Sequence, residues 1–332
     1  MNNLTIAVLR GGPSNEYEVS IRTGAAMIKA LDEFYRVVDI LIDKSGQWYR
    51  NGIAMGQLDA LKDVEVAVLA LHGEYGEDGT VQRLLDAASI PYTGSGSEAS
   101  TLAMHKSRTR FAVDALPMLK FPDHHLVRED DEADYHTMAQ DVFTRFGPPY
   151  IVKPACGGSS VGLMVAKSIL ELPDAIEYVT QHSKGGQVLI EQYIQGRETT
   201  CGVVEDYREQ SHYALPPVEI VPPKSKCGMY DYEAKYSEDV DLHAKIICPT
   251  NFTKSEKSHI EEAAKAVHKA LGLSHYSRSD FILTPRGLYF LEVNTLPGLT
   301  EQSLIPTALN TIGSNLKEFL EHLINLAVNR GK

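Results

Sequence analysis

Two hydrophobic periods divide this 332-residue chain. Over its first third, short apolar runs at residues 5–9, 36–42 and 64–71 alternate with stretches at 19–31 and 80–88 whose apolar positions recur every three to four residues. Continuous apolar runs bounded by turn residues read as strands buried on both faces, and the 3.6-residue period reads as helices packed over them. The pattern predicts an α/β unit with a parallel sheet. Gly94-Ser95-Gly96-Ser97 supplies a small-residue hinge, which places a boundary after residue 97.

The pattern then changes. Residues 98–115 predict a helix that the segment Pro117 to Pro122 ends. A helix near 132–146, a strand at 150–153, a glycine-serine loop, a strand at 161–166 and a helix near 168–182 make a small α+β unit over 98–186. From 187 onward, strands at 188–191, 198–204 and 212–220 precede a polar, tyrosine-rich stretch, Pro222 to Asp241, that has no period. A loop of that length inside a compact domain is expected to be a lid or binding loop. A helix at 254–271, two strands and a helix at 314–327 complete a third unit, 187–332.

Two of the late strands carry chemistry. Arg278-Ser279-Asp280-Phe281 ends one apolar run, and a second, Leu288 to Leu291, ends in Glu292-Val293-Asn294. Either carboxylate alone could be an ordinary strand-end charge. Together, with Asn294 on the same face as Glu292 and the loop Thr295-Leu296-Pro297-Gly298-Leu299-Thr300 following, they form the oxygen donor set a hard divalent cation requires. Mg²⁺ completes its octahedron with water and substrate phosphates, so a metal-nucleotide site is expected here.

Lys153 begins the stretch KPACGGSSVG, a strand end followed by a loop rich in unhindered N–H donors and hydroxyls that can close over phosphate. The lysine precedes the glycines, so this is not a P-loop, and a plain glycine hairpin remains the alternative. The opening Arg10-Gly11-Gly12-Pro13-Ser14-Asn15 lacks the G-x-G-x-x-G spacing of a dinucleotide site. In Ser14-Asn15-Glu16-Tyr17-Glu18, a carboxylate at a strand-to-helix junction could receive an ammonium group or cap the helix. His72, in LHGEYGEDG at the end of a buried strand, stands where open α/β sheets hold ligands, or else fixes its loop by hydrogen bonds.

Composition narrows the partners. A formal charge of -12 argues against a nucleic-acid or anionic-membrane surface, so an anionic ligand must meet local cations. Four cysteines, Cys156, Cys201, Cys227 and Cys248, lack any C-x-x-C spacing and suggest reduced thiols in a cytoplasm. The start, Met1-Asn2-Asn3-Leu4, carries no signal pattern, and no run approaches the roughly 18 apolar residues of a membrane span.

Seven motifs in one order make the chain similar to a known family. The Gly-Gly-x-Ser-x-Glu-x-Glu-Val-Ser opening, LHGEYGEDGT, PYTGSG, KPACGGSSVG, YDYEAKY, the Arg-x-Asp and Glu-x-Asn pair, and NTLPGLT with Ser303-Leu304 resemble the D-alanine–D-alanine ligases of the ATP-grasp superfamily over nearly the whole chain. The resemblance implies a three-domain ATP-grasp fold with an N-terminal parallel-sheet domain. It also implies ATP between the last two domains, two Mg²⁺ ions for which Mn²⁺ can substitute, and a role in peptidoglycan precursor synthesis.

By the same resemblance, Asp280, Glu292 and Asn294 hold metal, and Lys106, Lys153 and Lys235 contact phosphates. Glu191, Tyr193, Ile194 and Glu198 form the adenine hinge and ribose contact. Glu16 pairs with the first D-alanine's ammonium, His72 lines the substrate site, and Arg278 with the Gly298 N–H forms an oxyanion hole. Ser159, Tyr236 and Glu16 orient the second alanine, and Ser303 and Leu304 grip its carboxylate. A homodimer is implied as well. The chain departs from the family at Cys156 and Gly157, where Arg or Glu is common, and at Ser279, usually apolar. A D-serine or D-lactate ligase of the same fold is the neighbouring reading, and the lid tyrosine Tyr236 disfavours lactate. A non-catalytic nucleotide sensor would be expected to lose a metal ligand or phosphate lysine.

Overall fold

In a computed structural model of the chain, the residues described are 4–128, 130–131, 133–157, 162–183, 186–222 and 244–330. Ser159, Lys235, Tyr236 and almost all of the expected lid lie outside them. Strands are β1 (Thr5–Gly11), β2 (Arg36–Ile42), β3 (Trp48–Arg50), β4 (Ile53–Met55), β5 (Val66–Leu69), β6 (Leu119–Lys120), β7 (His124–Val127), β8 (Tyr150–Pro154), β9 (Met164–Ala166), β10 (Val188–Gln192), β11 (Arg197–Tyr207), β12 (Gln210–Ala214), β13 (Val218–Val221), β14 (Lys245–Ile247), β15 (Tyr276–Thr284) and β16 (Gly287–Asn294). Helices are α1 (Tyr17–Leu31), α2 (Gln57–Ala60), α3 (Thr80–Ala87), α4 (Ser97–Met104), α5 (Lys106–Val113), α6 (Tyr135–Arg145), α7 (Leu172–His182), α8 (Lys254–Ala270), α9 (Leu304–Thr311) and α10 (Leu316–Arg330).

Three sheets organise the molecule. The first runs β4-β3-β2-β1-β5, with β1 parallel to both β2 and β5. Ile6, Ala7, Val8 and Leu9 on β1 are fully buried, as a strand covered on both faces must be. Burying each of the larger side chains, Ile6, Val8 and Leu9, contributes about 1.5–3 kcal/mol. Gly11 at its end has φ +90°, and a Cβ there would lie 2.1 Å from the Ile42 carbonyl oxygen, so the turn into α1 requires glycine.

The second sheet runs β7-β10-β8-β9, backed by α6 and α7, and the third runs β14-β13-β11-β15-β16-β6 with β12 paired to β11. Strand β10, assigned from the sequence to the C-terminal unit, hydrogen-bonds antiparallel to β7 and β8. The second sheet therefore extends to Gln192, and the coil holding Tyr193 and Ile194 links it to β11 of the third.

The helix expected over 98–115 is two helices. His105 takes extended backbone (φ -101°, ψ 100°), bridges to Cys156, and is followed by a Lys106 N–H to Ala155 carbonyl bond of 3.0 Å. The strand expected over 212–220 is also two, because Pro216 and Pro217 between β12 and β13 have no N–H to donate. Helix α8 forms as expected, started by a reciprocal capping box between Thr253 and Glu256.

Candidate active site

Strands β15 and β16 pair antiparallel with Asp280 opposite Glu292 and Arg278 opposite Asn294. Asp280 sits in the middle of its strand rather than at the end, beside a register shift at Phe281. Side chains alternate across a strand, so Arg278 and Asp280 share one face while Ser277, Ser279 and Phe281 face α8. The Arg278 guanidinium donates to Asp280 from Nε at 2.9 Å and from Nη2 at 2.7 Å. The Thr200 hydroxyl on β11 donates at 2.5 Å, and the Asn294 amide donates at 3.2 Å.

Asn294 thus turns its nitrogen toward Asp280, which leaves its amide oxygen as an acceptor. Two carboxylates and an amide oxygen on paired strands form an all-oxygen donor set, the chemistry that suits Mg²⁺ or Mn²⁺ rather than a softer ion. The residues present fit the metal. Their negative charge is met locally by Arg278 on Asp280 and by Lys106 Nζ, 3.3 Å from Glu292. Lys106 Nζ also donates to the Gly157 carbonyl, which ties the start of α5 to the glycine loop.

Lys153 on β8 and Glu191 on β10 form a buried ion pair at 2.6 Å. Both lie on the face of the second sheet opposite Tyr150, Val152, Val188 and Ile190, which pack with α6 and α7. The Tyr193 N–H donates to the Pro149 carbonyl at 3.0 Å, anchoring the linking coil.

A cavity of about 430 Å³ gathers Glu16, His72, Arg278, Asn294, Gly298, Ser303 and Leu304. These come from four segments far apart in sequence, all of them marked as candidates by their motifs. Gly73 stands at φ +67°, and a Cβ there would lie 2.8 Å from Ser14 Oγ and 2.9 Å from Glu16 Oε2. The glycine lets the Glu16 carboxylate approach the loop after β5. Ser303 Oγ accepts from the Thr300 N–H at 3.1 Å, which closes the loop at the start of α9.

His72 is buried, and burial pulls its pKa down to about 4. Its Nδ1 lies 2.8 Å from the Leu296 carbonyl, which can only accept, so Nδ1 carries the proton. Nε2 then accepts from the Thr23 hydroxyl, also at 2.8 Å. This neutral ring braces the Leu296 loop against α1.

Glu77 has no assigned role in the sequence reading, yet its buried carboxylate accepts from the Gly73 N–H, the Thr295 N–H and hydroxyl, and the Leu296 N–H, all at 3.0–3.2 Å. Burial pushes its pKa up, and these donors partly offset the shift. Glu77 fastens the loop after β16 to the N-terminal domain. Thr200 is the other residue the sequence did not reveal, because only the pairing of β11 with β15 brings it to Asp280. A larger recess of about 810 Å³ between Tyr92, Leu271 and Arg330 contains none of the candidate residues.

Three sheets, a coil joining the second to the third and an acidic pair on β15–β16 are the architecture of an ATP-grasp enzyme, and solved structures share it. The D-alanine–D-alanine ligase of Bacillus anthracis complexed with ATP superposes with a TM-score of 0.79 at 30% identity, covering 100% of this chain and 99% of that one. The VanG D-Ala:D-Ser ligase of Enterococcus faecalis gives 0.83 at 29% identity, covering 98% of this chain and 100% of that one. The chain belongs to the D-alanine–D-alanine ligase family: the family model for the D-ala D-ala ligase C-terminus matches residues 112–325, and that for the N-terminus matches 5–62 and 52–95. The D-alanine–D-alanine ligase of Geobacter sulfurreducens is 38% identical over 324 residues, 96% of this chain and 92% of that relative.

Proposed function

We propose that this chain joins two D-alanines into D-alanyl-D-alanine at the expense of ATP, through an acyl phosphate. The observation that carries the reading is the shared cavity, in which Glu16, Arg278, Gly298 and Ser303 meet beside the acidic pair on β15–β16.

The carboxylate of the first D-alanine attacks the γ-phosphate, the bond to the β-phosphate breaks and ADP leaves, while Glu16 holds that alanine by its ammonium. Asp280, Glu292 and Asn294 would hold two Mg²⁺ ions, which supply positive charge against the phosphate oxygens. Lys106 and Lys153, with Lys235, direct further positive charge at the phosphates. Glu191, Tyr193, Ile194 and Glu198 receive adenine and ribose between the second and third sheets.

The second D-alanine's ammonium gives up a proton through the Ser159, Tyr236 and Glu16 set, its amine attacks the acyl carbon, and phosphate leaves as the new amide loses its extra proton. Arg278 and the Gly298 N–H stabilise the oxyanion, a contribution worth about 2.7–4 kcal/mol per donor in comparable sites. Ser303 and the start of α9 hold the second carboxylate, where helix N–H groups favour an anion. Ser159 and Tyr236 complete the hydrogen-bonded set with Glu16 in this reading. His72 and Glu77 keep the loop that bears Gly298 in place.

The same reading divides the chain into three domains, with the second boundary after Gln192, and sets the enzyme as a homodimer in the cytoplasm, making a peptidoglycan precursor. Among the described residues, no helix is long and apolar enough to cross a membrane. The test is phosphate release from Mg-ATP with D-alanine alone and with D-serine or D-lactate added. Release with D-alanine alone supports the reading; release only on adding D-serine moves the chain to the variant ligases, and tight ATP binding without release defines a sensor.

A further inference from the structure

Behind the catalytic strand, on the α8 side, a second cluster carries metal-ligand chemistry that the ligation reaction does not use. Glu205 on β11 pairs in register with His212 on β12, and His268 on α8 packs over both. One atom from each, a carboxylate oxygen and two ring nitrogens, lie within 4.8 Å of one another. Glu205 Oε1 is 3.6 Å from His268 Nε2 and 4.0 Å from His212 Nε2.

Two observations separate this cluster from an ordinary buried histidine. His268 is fully buried, and its Nε2 has no hydrogen-bond partner among the described residues, a cost that a folded protein ordinarily avoids. The remaining polar atoms of all three residues are held in place. His268 Nδ1 is 2.8 Å from Ser277 Oγ, His212 Nδ1 is 3.3 Å from Ser211 Oγ, and Glu205 Oε2 accepts the His275 N–H at 2.6 Å. In the tautomer that donates Nδ1–H to Ser277 Oγ, the Nε2 lone pair of His268 is directed at Glu205 Oε1, 3.6 Å away, and at His212. Outer partners of this kind are what fix ligating histidines.

We propose that Glu205, His212 and His268 form a binding site for a divalent first-row cation of the Zn²⁺ class. Imidazole and carboxylate select such ions over Mg²⁺. Tetrahedral ligands about 2.1 Å from a metal stand about 3.4 Å apart, so the two spacings to Glu205 are near that geometry. A turn of the His212 ring, which lies on the hairpin edge, closes the third. The site joins α8 to the β11–β12 hairpin and leaves a position for water.

The test titrates Zn²⁺ into the chelator-treated full chain in excess Mg²⁺, which occupies the oxygen site, with heat and melting temperature as readouts. The expected result is one equivalent bound and a raised melting temperature. His212→Ala, on a partly exposed edge residue, should weaken binding by at least about 100-fold and abolish the thermal shift, and Ser277→Ala should weaken it by about 10–100-fold. Absence of stoichiometric uptake, or equal affinity in the wild type and His212→Ala, overturns the proposal.

Discussion

Arg278 holds Asp280 by two parallel hydrogen bonds, of 2.9 and 2.7 Å, along one face of β15. The guanidinium therefore stands on the carboxylate proposed to bind metal and on the wall of the cavity that holds Glu16 and Ser303 at once. Lysine keeps the charge but cannot reproduce the fork. Arg278→Lys should lower kcat by about 100- to 1,000-fold, the effect of losing one oxyanion donor. Steady-state kinetics should show the KM for ATP changed far less than kcat.

Glu292 faces Asp280 across the sheet and lies 3.3 Å from Lys106. Glu292→Gln removes one of the charged oxygens proposed to hold metal and leaves Lys106 without its carboxylate. The Mg²⁺ concentration for half-maximal activity should rise at least about 10-fold, and saturating Mg²⁺ should restore only part of kcat. A magnesium titration at fixed ATP measures both.

Glu77 accepts four hydrogen bonds with its two oxygens. A glutamine in its place turns an NH₂ group toward backbone N–H groups, so at least one buried donor loses its partner. Glu77→Gln should cost about 1–3 kcal/mol in urea unfolding and raise the KM for D-alanine through the displaced Gly298 loop. Unchanged stability with unchanged KM would remove the clamp from the account.

Burial lowers His72 and His275 to about 4, against 6.5 for an unfolded histidine. Between these values the unfolded chain binds more protons than the folded one, so each ring's contribution is complete above pH 6.5 and is lost as pH falls toward 4. Each adds up to about 1.4 kcal/mol of destabilisation per pH unit in that window. The urea midpoint should drop from pH 7 to pH 5, and His72→Gln should make that drop shallower.

Much of this was legible in the sequence, for identifiable reasons. β1 is visible because a strand buried on both faces is nearly uniformly apolar, and Asp280, Glu292 and Asn294 stand out against the apolar runs around them. The clamp by Glu77 was hidden because its partners lie 218 and 219 positions away, and no local period encodes such a contact. The break at His105 involves neither glycine nor proline; pairing with Cys156 imposes it. The division between β12 and β13 was present in Pro216-Pro217 and is a signal that periodicity alone passed over. The sheet to which β10 belongs depends on register, which a single strand does not specify.

The central claim is that a D-alanine carboxylate takes the γ-phosphate before the amine attacks. D-alanine labelled with oxygen-18 in both carboxyl oxygens, incubated with Mg-ATP, tests it directly by mass spectrometry of both products. The account predicts D-alanyl-D-alanine that keeps one labelled oxygen at the peptide carbonyl and both at its carboxylate, with the remaining labelled oxygen in the phosphate released. Dipeptide accompanied by unlabelled phosphate would contradict it.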